Sequence, residues 1–252
     1  MKAMILAAGM GTRLRPLTDD RPKALVEVAG HPMLEIVLRR LMAAGVREVI
    51  INTHHFADMI SRFLAMNQNF GMRVEVSHED ELLDSGGGLK KAAWFFLEKH
   101  LQDPFILHNV DVMSNIDLDR MLRFHVEHDA LATLAVQHRD TSRPLLFDSN
   151  GQFRERAASR ARSAEDGNPA PGRPTAGSAV EELAFAGIHI LSPRIFQKIE
   201  EEGAFSIITT YVRLATRGER INGFRADQYY WRDLGRPESV ALAAEELAGR
   251  TQ

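Results

Sequence analysis

Residues 1–7 (MKAMILA) are apolar at almost every position, the pattern of a strand buried on both faces of a sheet rather than wetted on one. Residues 33–44 (MLEIVLRRLMAA) instead repeat their apolar side chains at helical spacing, and Gly45 stands where a helix C-terminal glycine belongs. The alternation continues along the chain. Strands are predicted over 46–52 (VREVIIN), 72–78 (MRVEVSH), 104–111 (PFILHNVD) and 131–137, with helices over 58–66, 87–99 and 118–128. In the helix over 87–99, Leu89, Ala92, Ala93, Phe96 and Leu97 form the inward face. Strands and helices in turn imply right-handed crossovers, hence an α/β fold with a doubly wound, mostly parallel, Rossmann-like sheet that binds ligand at the carboxyl ends of its strands.

The rhythm breaks after Gln137. Residues 139–178 are rich in Arg, Ser, Ala, Gly and Pro, and RERAASRARSAEDGNPAPGRPTAGS has no sustained apolar period. Residues 139–182 are therefore expected to form an exposed insertion or long hairpin. Order returns with LAFAGIHIL as a strand over 183–191, Ser192 and Pro193 as the cap and first-turn residue of a helix, and helices over 207–215 and 236–247. The whole of 1–252 is expected to be one domain.

Composition excludes more than it selects. The formal net charge of −3 and pI near 6.4 argue against a domain whose main task is binding nucleic acid. The absence of cysteine excludes disulfides, iron–sulfur sites and a cysteine nucleophile, and fits a cytoplasmic protein. The apolar run at the N-terminus is too short for a signal peptide, and no run reaches the ~18 apolar residues of a membrane span. A soluble, cytoplasmic protein without a membrane partner is expected.

The chemistry concentrates in four places. After the first strand comes AAGMGTRLRPLTDDRPKALVEVAG, small and basic before the first helix. Gly9, Gly11 and Leu14 fail G-x-G-x-x-G at its third glycine, and no G-x-x-x-x-G-K-[ST] occurs, so a dinucleotide fold and a P-loop both lose ground. What remains lets backbone N–H groups approach an anion, with the Thr12 hydroxyl and the Arg13 fork as further donors and Lys23, stiffened by Pro22, as a second cation. The plainer alternative is a glycine turn with two solvated basic residues. The run Ser85, Gly86, Gly87, Gly88 opens a helix and leaves N–H donors at its positive end, although an ordinary glycine-rich helix start has the same look. Asp111 in HNVDV and Asp233 in YWRDLGRPES each end a strand; a lone aspartate there is more often a cap or turn residue than a ligand. The ten histidines contain no H-E-x-x-H, and His54, His55, His125 and His128 are expected at the surface or in packing.

LAAGMGTRLRPLTDDRPKALVEVAGHPML resembles the signature of sugar-1-phosphate nucleotidyltransferases, which make nucleoside-diphosphate sugars from a nucleoside triphosphate. The resemblance implies that Leu6, Ala7, Ala8 and Gly9 meet the nucleotide, that Gly11, Thr12 and Arg13 meet its phosphates, and that Lys23 meets the α-phosphate and the sugar phosphate, so that Arg13 and Lys23 are catalytic. EDELLDSGGGLKKA resembles the base-reading segment, its S-G-G-G being similar to the T-G-G-G of bacterial N-acetylmuramate-1-phosphate uridylyltransferases, which assigns Ser85, Gly86 and Gly87 to the base. HNVDV resembles N-x-D, with Asp111 on Mg²⁺ and Asn109 by the sugar; Val110 stands where many relatives have glycine. YWRDLGRPES is similar to W-x-D-x-G, with Asp233 as second metal ligand, and FAGIHIL resembles the F-x-G-I strand that brings Gly187 to the sugar. The glutamate–lysine pair that many thymidylyl- and guanylyltransferases carry before that strand is absent, and Glu181 or Glu182 is the expected substitute.

By the same resemblance, 1–137 is the nucleotide-binding part and 183–252 the sugar-binding and closing part of a nucleotidyltransferase-type fold. The partners implied are a nucleoside triphosphate and a sugar 1-phosphate, in a monomer or small homo-oligomer. UTP and an amino-sugar 1-phosphate such as N-acetylmuramate 1-phosphate are the expected pair. The alternatives are a guanylyl- or thymidylyltransferase for a hexose or heptose 1-phosphate, a cytidylyltransferase for phosphocholine, and a non-catalytic sensor. A phosphate monoester ionises a second time near pH ~6 and needs no general base. A site of cations and carboxylates without catalytic His, Ser or Cys therefore suits the reaction.

Overall fold

The computed structural model describes residues 1–98, 103–157 and 180–249. The first half runs β1 (Lys2–Leu6), β2 (Glu27–Val28), β3 (His31–Pro32), α1 (Met33–Ala43), β4 (Glu48–Thr53), α2 (Ala57–Met66), β5 (Arg73–His78), α3 (Asp84–Lys91), α4 (Ala93–Leu97) and β6 (Phe105–Asn109). The second half runs β7 (Val112–Ser114), α5 (Leu118–Glu127), β8 (Ala132–Gln137), β9 (Leu145–Phe147), β10 (Phe153–Arg156), β11 (Glu181–Leu191), α6 (Ile207–Thr216), β12 (Ile221–Arg225), β13 (Trp231–Asp233) and α7 (Pro237–Gly249).

Strands β6, β1, β4 and β5 lie side by side and parallel, in the order that short right-handed crossovers dictate. Their side chains alternate between two cores. Ala3, Ile5, Val49, Ile51 and Ile106 face α1, α2, α5 and α7, whereas Met4, Ile50 and Leu107 face α3, α4 and α6. Both faces are thus covered, which is why these strands read as continuous apolar runs. β11 is the long antiparallel strand that extends the sheet, pairing with β6, β8 and β9, while β12 adds to β8 in parallel. Its register shifts between Phe185 and His189, around Gly187, whose φ is +75°.

Three expectations need correction. The helix over 87–99 starts earlier and breaks at Ala92, whose ψ of 2° ends α3. The break resets the phase, so Phe95 and Phe96 turn inward with Leu89 and Ala92, while Leu97 is 44% exposed. Of the two forms expected for this segment, residues 139–157 take the hairpin, but not an exposed one: β9 and β10 pair, β9 also pairs with the start of β11, and Leu145, Leu146, Phe147 and Phe153 are buried. Two strands of three and four residues are too short to show an apolar period. The rest of that segment, 158–179, lies outside the described residues. Ser192 precedes a short 3-10 helix (Pro193–Gln197) without capping it; its hydroxyl donates instead to Ala130 O at 2.8 Å.

His125 is buried with Nδ1 2.9 Å from Thr133 Oγ1 and Nε2 3.0 Å from Ser192 Oγ. Burial pushes its pKa down to about 4, and burial likewise pushes the fully enclosed His108 and His189 down to about 3. These groups stay neutral in the fold but take up protons once the chain unfolds below about pH 6.5, so stability falls as pH drops through that value toward 4. His125→Gln keeps a donor and an acceptor. It is expected to flatten the pH slope of the unfolding free energy between pH 6.5 and 5 by up to about 1.4 kcal/mol per unit, read from urea melts. An unaltered slope would mean that His125 is charged in the native state.

Candidate active site

The carboxyl ends of β1 and β6 open into two adjoining cavities of about 580 and 550 Å³, with Asn109, Arg143, Phe185, Ser206 and Ile208 in the walls of both. Leu6, Ala7, Ala8 and Gly9 line the second cavity, where the backbone after β1 is held by a buried polar chain. The Ala7 N–H donates to Asn52 Oδ1 at 2.7 Å, Asn52 Nδ2 donates to Glu79 Oε1 at 2.8 Å, and Glu79 Oε2 accepts the Leu83 N–H at 3.0 Å. Glu79 has no solvent exposure. A carboxylate placed there between two donors ties β1, β4, β5 and the approach to α3 into one wall.

Gly11 turns the chain with φ +65°, and a Cβ on it would come 2.9 Å from Thr18 Cγ2 and 3.2 Å from Lys23 Cβ. Only glycine fits both demands. The turn leaves Thr12 and Arg13 exposed and lets Lys23 reach inward, where its ammonium donates to Asp111 Oδ2. Both side chains of this pair are nearly buried, at 12% and 14% exposure.

Asp233 reaches the same strand ends from 122 residues away along the chain. β13 pairs with β7, setting Asp233 opposite Val112, and the Leu234 N–H donates to Asp111 O at 2.8 Å. The Asp233 Oδ1 accepts the Gly235 N–H at 2.8 Å. A Cβ on Gly235 would lie 2.6 Å from Asp233 Oδ1 and 3.1 Å from Arg13 Nη2, so the absence of a side chain makes room for both groups beside Gly235. Asp233 and Arg13 line the first cavity, Asp111 and Lys23 the second.

The donor set fits a hard divalent cation. Asp111 Oδ1 and Asp233 Oδ2 have no protein donor among the described residues, and two carboxylates completed by phosphate oxygens and water are the usual holding of Mg²⁺. No group of three His, Cys, Asp or Glu side chains among the described residues makes a larger cage.

Asn109 and Gly187 adjoin each other in the wall of the first cavity. A Cβ on Gly187 would come 2.6 Å from Val112 Cγ2 and 3.0 Å from Asn109 Nδ2, so this glycine too is required by space as well as by its positive φ. Ser85 lines the second cavity, but its hydroxyl accepts the Ile207 N–H at 3.1 Å, at the start of α6. Gly86 and Gly87 are a correction. Their N–H groups, expected as donors to a base, point at Phe205 O at 2.8 and 3.3 Å, and neither residue lines a cavity. A Cβ on Gly86 would strike the Phe205 ring at 2.2 Å and one on Gly87 the Gly203 carbonyl at 2.4 Å. These glycines let α3 dock against residues 203–206. Gly87→Val is therefore expected to cost about 1–3 kcal/mol of stability by overpacking. It should disturb both substrates' KM together, and a rise confined to the nucleotide would return Gly87 to the base.

Several site residues carry no sequence motif of their own. Arg139 lies with its guanidinium 3.7 Å from the Trp231 ring centre and donates to Phe185 O at 2.6 Å, and burial lowers its pKa. Trp231 Nε1 donates to Ala186 O at 2.7 Å. His189 lines the second cavity with Nδ1 3.0 Å from Tyr211 OH. Glu181, an expected sugar contact, is committed to Arg225 at 2.7 Å, and neither it nor Glu182 lines either main cavity.

Residues 2–250 match the model of the nucleotidyl transferase family. The chain is 33% identical to the N-acetylmuramate alpha-1-phosphate uridylyltransferase of Caulobacter vibrioides, over 98% of this chain and 96% of that protein. It is 39% identical to the catalytic subunit beta of the Danio rerio mannose-1-phosphate guanylyltransferase, but over 54% of this chain and 38% of that one. Among solved structures, HddC from Yersinia pseudotuberculosis complexed with GMP-PN superposes with a TM-score of 0.75 at 23% identity, covering 98% of this chain and 99% of that one, which speaks for the fold. No helix among the described residues is long and apolar enough to cross a membrane. A tight glycine turn, the inward Lys23 and the more exposed Arg13, and two strand-end carboxylates stand here within a family match over residues 2–250, and the chain belongs to the nucleotidyl transferase family, as an enzyme of the sugar-1-phosphate nucleotidyltransferase type.

Proposed function

We propose that this enzyme transfers a uridylyl group from UTP to an amino-sugar 1-phosphate, with N-acetylmuramate 1-phosphate as the acceptor, and releases pyrophosphate. The observation that carries the reading is the end-to-end match to a uridylyltransferase of that specificity, where the guanylyltransferase match covers little more than half of this chain. The nucleotide occupies the second cavity beside Leu6 to Gly9 and Ser85, and the sugar phosphate the first, against the wall that Asn109 and Gly187 form.

In the reaction a phosphate oxygen of the sugar 1-phosphate forms a bond to the α-phosphorus of UTP while the bond from that phosphorus to the bridging oxygen breaks, and the pyrophosphate leaves with the bonding pair. Lys23, at the inner end of the glycine turn, lies between the two phosphates and holds them in line. Arg13 reaches the departing pyrophosphate from over Gly235, donating as charge builds there. Asp111 and Asp233 would hold Mg²⁺, which when bound neutralises phosphate charge. No side chain needs to remove a proton. On this reading 1–137 serves the nucleotide, 183–252 serves the sugar, and the enzyme works in the cytoplasm.

The test is pyrophosphate release from UTP, dTTP, GTP and CTP, each against a panel of sugar 1-phosphates. UTP with N-acetylmuramate 1-phosphate is expected to give the highest kcat/KM. A preference for GTP with mannose 1-phosphate would instead support the guanylyl reading, which the 39% identity over 137 residues favours.

A further inference from the structure

The first cavity carries more positive charge than a neutral sugar 1-phosphate requires. Arg13, Arg139, Arg143 and Arg156 stand in its wall, and Asp233 is the one acidic residue there among the described residues. Two of the four arginines are accounted for. Arg13 serves the leaving pyrophosphate, and Arg139 is pinned on Trp231 with one nitrogen on the Phe185 carbonyl. Arg143 and Arg156 are exposed and have no acidic partner among the described residues. That sets them apart from their neighbours. Arg154 is paired with Asp148, Arg213 with Glu201 and Arg225 with Glu181.

The hairpin places the two side by side. Arg156 is the register partner of Leu145, and the Ala157 N–H donates to Pro144 O at 3.0 Å, so Arg143 and Arg156 sit on adjoining arms of the hairpin. Its foot is anchored by the buried Phe147 and Phe153. The backbone that carries both side chains is thus fixed at the cavity wall before any ligand arrives, which lowers part of the ordering cost of binding. The chemistry they match is a carboxylate, which guanidinium groups meet through paired, charge-assisted hydrogen bonds. On the opposite count, no glutamate among the described residues lines this cavity to accept the hydroxyls of a neutral sugar.

We propose that Arg143 and Arg156 form an anion subsite at the sugar end of the first cavity, and that the sugar 1-phosphate this enzyme takes carries a carboxylate of its own. The proposal rests on the reading that this cavity receives the sugar 1-phosphate. It makes the two arginines specificity-determining residues with no part in the phosphoryl chemistry.

The experiment compares N-acetylmuramate 1-phosphate, which has a lactyl carboxylate, with N-acetylglucosamine 1-phosphate, the same sugar without it. Each is titrated calorimetrically into wild type, R156Q, R143Q/R156Q and R143K/R156K, and UTP is titrated into all four. Wild type is expected to bind the acidic sugar at least about tenfold more tightly, the yield of one or two charged hydrogen bonds. R143Q/R156Q should bring the two sugars within about threefold of each other without moving the affinity for the neutral sugar, and R143K/R156K should keep part of the preference; R156Q alone, at a residue that borders the first cavity and not the second, should narrow the preference and leave the affinity for UTP unmoved. A melting temperature equal to wild type shows that the variants are folded. A wild type that binds the two sugars alike, a double variant that weakens both sugars equally, or an R156Q variant that weakens UTP would overturn the proposal. Failure of the uridylyl reading looks different: the carboxylate preference persists in calorimetry while pyrophosphate is released from another nucleotide and not from UTP.

Discussion

Lys23→Ala is expected to lower kcat by about two to three decades and to raise KM for both substrates, the size of effect that follows loss of one preorganised donor aimed at developing charge. The structure explains why the effect falls on both substrates. Lys23 projects from the short 3-10 turn Lys23–Leu25, behind Pro22, and its ammonium ends on Asp111 at the floor of the second cavity, next to the wall that the two cavities share. On the proposed reading a cation at that junction would meet the α-phosphate and the incoming phosphate at once, and its loss would restore their mutual repulsion. Initial rates with each substrate varied in turn decide the matter. A variant that keeps kcat while one KM alone rises would reduce Lys23 to a contact of that substrate.

Asp111→Asn and Asp233→Asn are each expected to lower kcat by two decades or more, roughly, and to shift the Mg²⁺ dependence of the rate to higher concentration. Both substitutions keep the local hydrogen bonds. An asparagine carbonyl at 233 still accepts the Gly235 N–H, and one at 111 still accepts from Lys23, so the melting temperature should move little. The lost quantity is charge. Because Lys23 and Asp111 touch, the Lys23→Ala, Asp111→Asn double variant should lose less than the sum of the two singles. Unaltered metal dependence in either aspartate variant would take that residue out of the site.

Much of this was legible in the residues. The apolar runs of β1, β4 and β6 foretold a sheet covered on both sides, and Gly11 foretold the tight turn before Arg13 and Lys23, because a positive φ and a close approach leave a mark that only glycine can make. Asp111 and Asp233 were found through motif likeness, since a strand-end aspartate looks the same whether it caps a turn or faces a phosphate. Gly86 and Gly87 misled for a related reason. A glycine that makes room for a ligand and one that makes room for Phe205 are identical in sequence, and the partner lies some 120 residues downstream. Arg139, Arg143 and Arg156 were hidden in a stretch whose composition reads as solvated. What lifts them into the site is the pairing of β9 with β11, a contact between short strands that local periodicity cannot report. Asn52 and Glu79 were missed because a polar residue at a strand end is ordinary, and only their mutual burial distinguishes them.

The ladder between β7 and β13 also has a bearing on when activity begins. Val112 and Asp233 are register partners, and the main-chain bond from Leu234 to Asp111 fixes one carboxylate relative to the other. Contacts so distant along the chain form late, after the loop between them has been closed. During synthesis the glycine turn, Lys23 and Asp111 all leave the ribosome long before Asp233 does. A nascent chain can therefore assemble the parallel strands β1, β4, β5 and β6 before Asp233 has been delivered, and on the proposed reading its pair of strand-end carboxylates is complete only from that point.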